Sequence, residues 1–116
     1  MRLKSSVWVA AYLRRCNLEG AFAAVRRHGA DDAGVVFIKV NWLNGTGTLY
    51  GPAAPTEIGE NQLVDRYFHA TLGVPHPVSE ADIEARLVRE IRFDPDIWIL
   101  EIEDRIGRHF LDGALI

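Results

Sequence analysis

Residues 34–43 form a nearly unbroken apolar run that stops at Asn44-Gly45. The run is rich in β-branched side chains and reads as the strongest strand of the chain. Val36, Ile38, Val40 and Trp42 share one face; Val35, Phe37, Lys39, Asn41 and Leu43 share the other. Asn-Gly is the strongest short hairpin signal. A two-residue loop there sets Leu43 opposite Thr46, Asn41 opposite Thr48 and Val40 opposite Leu49, with positive φ expected at Asn44 and Gly45. It also sets Gly47 against Trp42, where the missing side chain leaves room for the indole.

The other elements follow from the same two periods. Ser6 is placed to cap a helix through Leu18, whose stripe is Trp8, Val9, Tyr12, Leu13 and Cys16, with Gly20 past its end. Residues 22–27 read as a strand. Residues 51–62 are a Pro/Gly/polar loop. Residues 63–72 fit a strand or a helix, and the aromatic, Thr-rich stretch 66–71 favours the strand. Ser79 opens a helix with Ile83, Leu87, Val88 and Ile91 as its stripe, ended near Arg92 by Pro95. Asp82 and Arg86 form an i,i+4 pair on it. Residues 97–103 are a strand with Trp98, Leu100 and Ile102 on one face and Ile97, Ile99, Glu101 and Glu103 on the other. A turn at 104–107 leads into a last strand at 108–111. The order is α-β-β-β-β-α-β-β, which gives an α+β fold: two helices and a mostly antiparallel sheet of five or six strands.

At 116 residues the chain is one globular domain, 1–116, and 48% apolar content supplies a core. The single cysteine, Cys16, excludes an intramolecular disulfide and falls on the buried stripe of the first helix. Residues 7–13 are too short an apolar run to span a membrane, so a cytoplasmic location is expected. Net charge is −3, with +4 over the first fifty residues and −7 over the rest. A net acidic chain has no global field for nucleic acid, which makes that partner unlikely. Arg14, Arg15, Arg26 and Arg27 are the residues that would carry such a role.

Chemical motifs are few. The glycines at 45, 47 and 51 have the wrong spacing for a dinucleotide fingerprint, and no helix follows them. His28, His69, His76 and His109 lack metal-ligand spacing, so no metal and no cofactor is expected. No nucleophile–base pair stands out, and no catalytic residue is nominated. Glu101, Glu103 and Asp104 are the densest carboxylate cluster. They fit a paired acid/base site or, more simply, a strand face salt-bridged to Lys39 or an arginine.

Several stretches carry a family resemblance. Ser6-Val7-Trp8-Val9, Leu13-Arg14-Arg15, Ala33-Gly34, Lys39-Val40-Asn41 and Thr48-Leu49-Tyr50-Gly51-Pro52 are among them. The most specific are Arg92-Phe93-Asp94-Pro95-Asp96-Ile97-Trp98 and Glu101-Ile102-Glu103-Asp104-Arg105, followed by Gly107-Arg108. Over residues 3–111 the chain resembles a family of small alphaproteobacterial proteins, the domain-of-unknown-function family 1491. The resemblance implies a bacterial, cytoplasmic protein and lends no activity.

The functional expectation is a non-enzymatic binding or interaction domain that self-associates as a homodimer. If both helices cover one sheet face, Val35, Phe37, Ile97 and Ile99 form an interface on the other. The alternative is a small enzyme or ligand-binding protein, its pocket between the sheet and residues 51–62. Asp94, Asp96, Trp98, Glu101, Glu103, Asp104 and Arg108 are the candidate contacts to a small molecule or protein partner.

Overall fold

The computed structural model of the chain describes residues 2–54 and 65–116. Its elements are α1 (Ser5–Leu18), β1 (Phe22–Arg27), β2 (Val36–Asn41), β3 (Thr46–Pro52), β4 (Phe68–Leu72), β5 (Val78–Ser79), α2 (Glu80–Phe93) and β6 (Trp98–Glu103). The sheet order is β1-β6-β2-β3-β4, with β5 also on β3. Among these strands only β2 and β6 run parallel; the other four pairs are antiparallel, and an isolated parallel bridge joins Phe68 to Leu115. The α+β class expected from the sequence holds, as does strand rather than helix at residues 68–72. Residues 63 and 64 lie outside the described residues. Residues 108–111 form no strand, and the short β5 precedes α2 instead.

β6 inserts between β1 and β2 because it is apolar on both faces. Its α1-side residues Trp98, Leu100 and Ile102 join Val36, Ile38 and Val40 under Val9, Tyr12 and Cys16 of α1. On its other face Ile99, with Ile97 just before the strand, joins Phe37 and Leu49 under Ile83 and Leu87 of α2. The sheet is therefore covered by one helix on each face. The uncovered face expected from the sequence is absent: Phe37, Ile97 and Ile99 are buried within the chain, and Val35 packs against them. Burial against α2, at about 25 cal/mol per Å² of apolar area, replaces the burial expected from a second subunit.

The β2–β3 hairpin differs from the expected register by one residue. Val40 faces Thr48, Lys39 faces Leu49 and Asn41 faces Gly47. The loop has three residues, closed by the Trp42 amide on the Thr46 carbonyl, and Leu43 rather than Asn44 joins Gly45 at positive φ. Side chains explain it. Asn41 Oδ1 accepts from the Leu43 amide and Asn44 Oδ1 from the Thr46 amide, each mimicking a backbone turn. The slip sends Leu49 to the α2 face and buries Thr48, whose hydroxyl accepts from Trp42 Nε1 at 3.2 Å. Gly47 makes room for Ile83, whereas the indole of Trp42 lies against Gly107, where any side chain would collide with it.

Helix ends also follow local chemistry. α1 begins two residues earlier than a Ser6 cap would start it. Lys4 is its N-cap without a side-chain bond, and Ser5 and Ser6 donate their amides to Asp32 and Asp31 carbonyls. The buried Ser5 hydroxyl donates to the Gly34 carbonyl at 2.6 Å. Ser79 caps α2, accepting from the Asp82 amide. On α2 the i,i+4 ion pair is Arg86–Glu90, at 2.9 Å, and Val88 is exposed rather than in the core stripe. No helix among the described residues is long and apolar enough to cross a membrane.

Candidate functional site

Where the α2-side face of the sheet turns polar, Lys39, Asn41 and Glu101 stand on neighbouring strands, and Glu80 and Glu84 reach down from α2. Lys39, 3% exposed, places Nζ 2.8 Å from Glu84, 3.0 Å from Glu80 and 3.7 Å from Glu101. Arg26 on β1 grips Glu84 with both terminal nitrogens, at 2.7 and 2.8 Å, and reaches Glu101 at 3.0 Å. Asn41 donates to Glu80 and Glu101. Hydrogen bonding from Arg26, and then from Lys39, outweighs burial and draws the Glu84 carboxyl down to about 2. Burial opposes the Lys39 charge, yet bonds to Glu84 and Glu80 hold its pKa above the ordinary value. Three carboxylates face two cations here. The cluster clamps α2 to β1, β2 and β6.

The remaining sequence-predicted contacts scatter. Asp94 Oδ1 accepts from the Asp96 amide and closes an Asx turn after α2. Trp98 is buried, donates Nε1 to the Ala30 carbonyl at 2.8 Å, and lies under the His28 ring at 4.0 Å. Asp104 is buried and accepts from Nε and Nη2 of Arg108, whose hydrogen bonds lower its carboxyl below the usual range. Glu103 is partly exposed beside Phe22. So Glu101 sits in the ion network, Asp104 with Arg108 forms a turn, and Asp94 and Asp96 lie at the far end of the sheet. Residues 55–62 of the loop expected to roof a pocket lie outside the described residues. Of the four arginines weighed for nucleic acid, Arg15 pairs with Asp112 and Arg26 with carboxylates, and Arg27 binds the Pro95 carbonyl. Arg14 is on α1, on the opposite side of the sheet from Arg26.

A shallow groove of about 260 Å³ runs between α1 and the C-terminal segment, lined by Trp8, Tyr12, Arg15, Arg66, Phe110 and Asp112 among others. Its arginines are already paired, Arg15 with Asp112 and Arg66 with Asp65.

The most unusual surface lies at the hairpin end of the sheet. Phe22 faces Glu103 across β1 and β6, and Asn41 faces Glu103 across β2 and β6. The Asp104 amide bonds the Asn41 carbonyl, and Arg108 reaches the Glu19 carbonyl. These contacts gather the end of α1, the start of β1, the hairpin loop and the 104–107 turn. Each carries a large apolar side chain in water: Leu18 is 78% exposed, Phe22 58%, Leu43 43% and Ile106 71%. Leu43 has φ +62, a conformation that a leucine rarely adopts. The sequence reading nominated none of the four as site residues. The available signal was an apolar residue in each turn, Leu43 before Asn44-Gly45 and Ile106 before Gly107.

No curated protein matches the chain. The model of a family described as "Protein of unknown function (DUF1491)" matches residues 3–112. A crystal structure of a DUF1491 family protein from Caulobacter crescentus CB15 is similar, at 39% identity and a TM-score of 0.78. The match covers 100% of this chain and 99% of that one. An NMR structure of a DUF1491 family protein from the same organism matches at 39% identity and TM-score 0.78, covering 100% and 98%. The solution structure of protein Atu0922 from A. tumefaciens matches at 40% identity and TM-score 0.72, covering 89% and 86%. With its family model matched over nearly its whole length, the chain belongs to the DUF1491 family, whose function is unknown.

Proposed function

We propose that the protein is a non-enzymatic interaction domain that self-associates through the apolar end of its sheet. The observation that carries this reading is the exposure of Leu18, Phe22, Leu43 and Ile106 at that one end. A patch of a few hundred Å² rimmed by polar groups is the usual mark of a binding surface. A second copy suits it because the rim carries both signs. Glu19, Glu103 and Arg105 border the patch, and a twofold contact sets Arg105 of one copy against Glu19 or Glu103 of the other. A rim of one sign would repel its own copy.

The carboxylates on which an acidic catalytic pocket would depend support the same reading. Glu101 is engaged by Arg26 and Lys39, and Asp104 by Arg108. A contact of this size buries roughly 1,000 Å² in total, the lower bound of specific interfaces. The association is therefore weak, with a dissociation constant in the micromolar to millimolar range, roughly −8 to −4 kcal/mol.

Sedimentation equilibrium tests it. The mass is expected to rise from 13.0 kDa towards twice that value as concentration approaches about 1 mM. Phe22→Lys, which sets a cation opposite Glu103, and Ile106→Glu should hold the chain monomeric with little change in melting temperature, because a charge is costly in a dry contact and tolerated in water. A wild type that stays at 13.0 kDa throughout overturns the proposal.

A further inference from the structure

We infer that the C-terminal half of α2 is a docking surface for an acidic protein segment that carries one large apolar side chain. This part of α2 lies at the opposite end of the sheet from the apolar patch and does not depend on self-association. Arg86, Arg89, Arg92 and Phe93 share an open surface on the outside of the helix, with Glu90 as the sole acidic residue among them. Among these lining residues three arginines stand against one glutamate, a charge of +2 in a chain of −3; Asp94 and Asp96 follow at the helix end, where Asp94 Oδ1 accepts from the Asp96 amide.

Folding accounts for little of this arrangement. Phe93 is 88% exposed, more than any other large apolar residue among the described residues. At 100° per residue it points about 120° away from Leu87, the centre of the buried stripe, so it contributes nothing to the core. Arg92 in the last turn complements the helix dipole, and Arg86 is held by Glu90. Arg89 and Arg92 make no ion pair among the described residues. Two guanidinium groups with no carboxylate of their own stand beside a bare phenyl ring. That is the complement of carboxylates next to an apolar anchor: arginine takes a carboxylate through paired N–H bonds, and the ring covers the anchor.

Charge and packing select this occupant over two others. A nucleic acid tracks a longer row of cations, and the same helix carries Glu80, Asp82, Glu84 and Glu90. A membrane surface takes up a helix by its apolar face, and that face of α2 is packed on the sheet.

The test is an NMR titration of the full-length, isotope-labelled chain at low salt. The probe is a short synthetic peptide of glutamates flanking one leucine. A second peptide replaces the leucine with alanine, and duplex DNA and phosphatidylserine vesicles serve as competing probes. Saturable shifts are expected over residues 86–94, weakened by added salt. Binding is expected to fall at least about tenfold in Arg89→Gln/Arg92→Gln, and several-fold in Phe93→Ser and with the alanine peptide. All three positions are exposed, so unchanged melting is expected. If the double variant fails to fold, Phe93→Ser and the salt series decide. The proposal is overturned by no saturation at millimolar peptide, shifts confined to other elements, equal binding after Phe93→Ser, or tighter binding of DNA or vesicles than of the peptide.

Discussion

Lys39 is a lysine in the middle of a sheet, and its burial is tolerable only because Glu84, Glu80 and Glu101 surround its ammonium group. Removing one partner of a buried pair costs more than the pair contributes, because the remaining charges stay desolvated. Its carboxylates are partly exposed, which lowers the penalty. Lys39→Met is expected to cost about 2–3 kcal/mol in urea unfolding. A loss below about 0.5 kcal/mol would class the cluster with solvated surface pairs. Glu84 gives the network a pH signature. Its folded pKa, about 2, lies below the ordinary 4.5, so between these values the unfolded chain binds more protons. The stability it contributes is complete above about 4.5 and is lost as pH falls through about 2. Glu84→Gln should flatten the urea midpoint over that window; an unchanged slope would detach Glu84 from acid unfolding. Cys16 is fully buried, and burial raises its thiol pKa. Thiol reagents should label it slowly in the native protein and rapidly once unfolded, and rapid native labelling would contradict the helix phase.

At the level of elements, periodicity identified the buried faces of α1, β2 and β6 and, apart from the exposed Val88, that of α2. Each is a long amphipathic or two-sided apolar pattern set by local sequence. The hairpin register escaped it because two asparagine side chains, Asn41 and Asn44, compete with the simple two-residue turn through their own hydrogen bonds. That competition moves Leu43 to positive φ and hands the indole of Trp42 from Gly47 to Gly107. The two glycines therefore differ in what a side chain would meet. A Cβ at Gly45 has open space, so Gly45→Ala costs only the left-handed backbone penalty, about 1 kcal/mol. A Cβ at Gly107 meets Trp42 and carries the same backbone penalty, so Gly107→Ala should cost roughly 2 kcal/mol or more. Thermal melts of the two variants compare them directly. Equal losses would mean that Trp42 does not pack on Gly107.

For the whole molecule, the decisive fact is that the helices cover opposite faces of the sheet. A one-dimensional pattern shows that Phe37 and Ile99 need cover, and not whether α2 or another subunit supplies it. Phe37→Glu is accordingly expected to unfold the monomer rather than dissociate a dimer, because it puts an unpaired charge between the sheet and α2. The apolar end was equally illegible. Leu18, Phe22, Leu43 and Ile106 belong to four separate elements, and only the β1-β6-β2 strand order brings them together. Glu101 beside Lys39 and Arg26, by contrast, follows from alternation along β6 once its neighbours are known. The most direct test of self-association through the apolar end is a dilution series of amide NMR spectra. Concentration-dependent shifts are predicted at residues 18–22, 43–45 and 103–107, and nowhere on the outer face of α2. Spectra that superimpose at every concentration, or shifts clustered on another surface, would contradict the account.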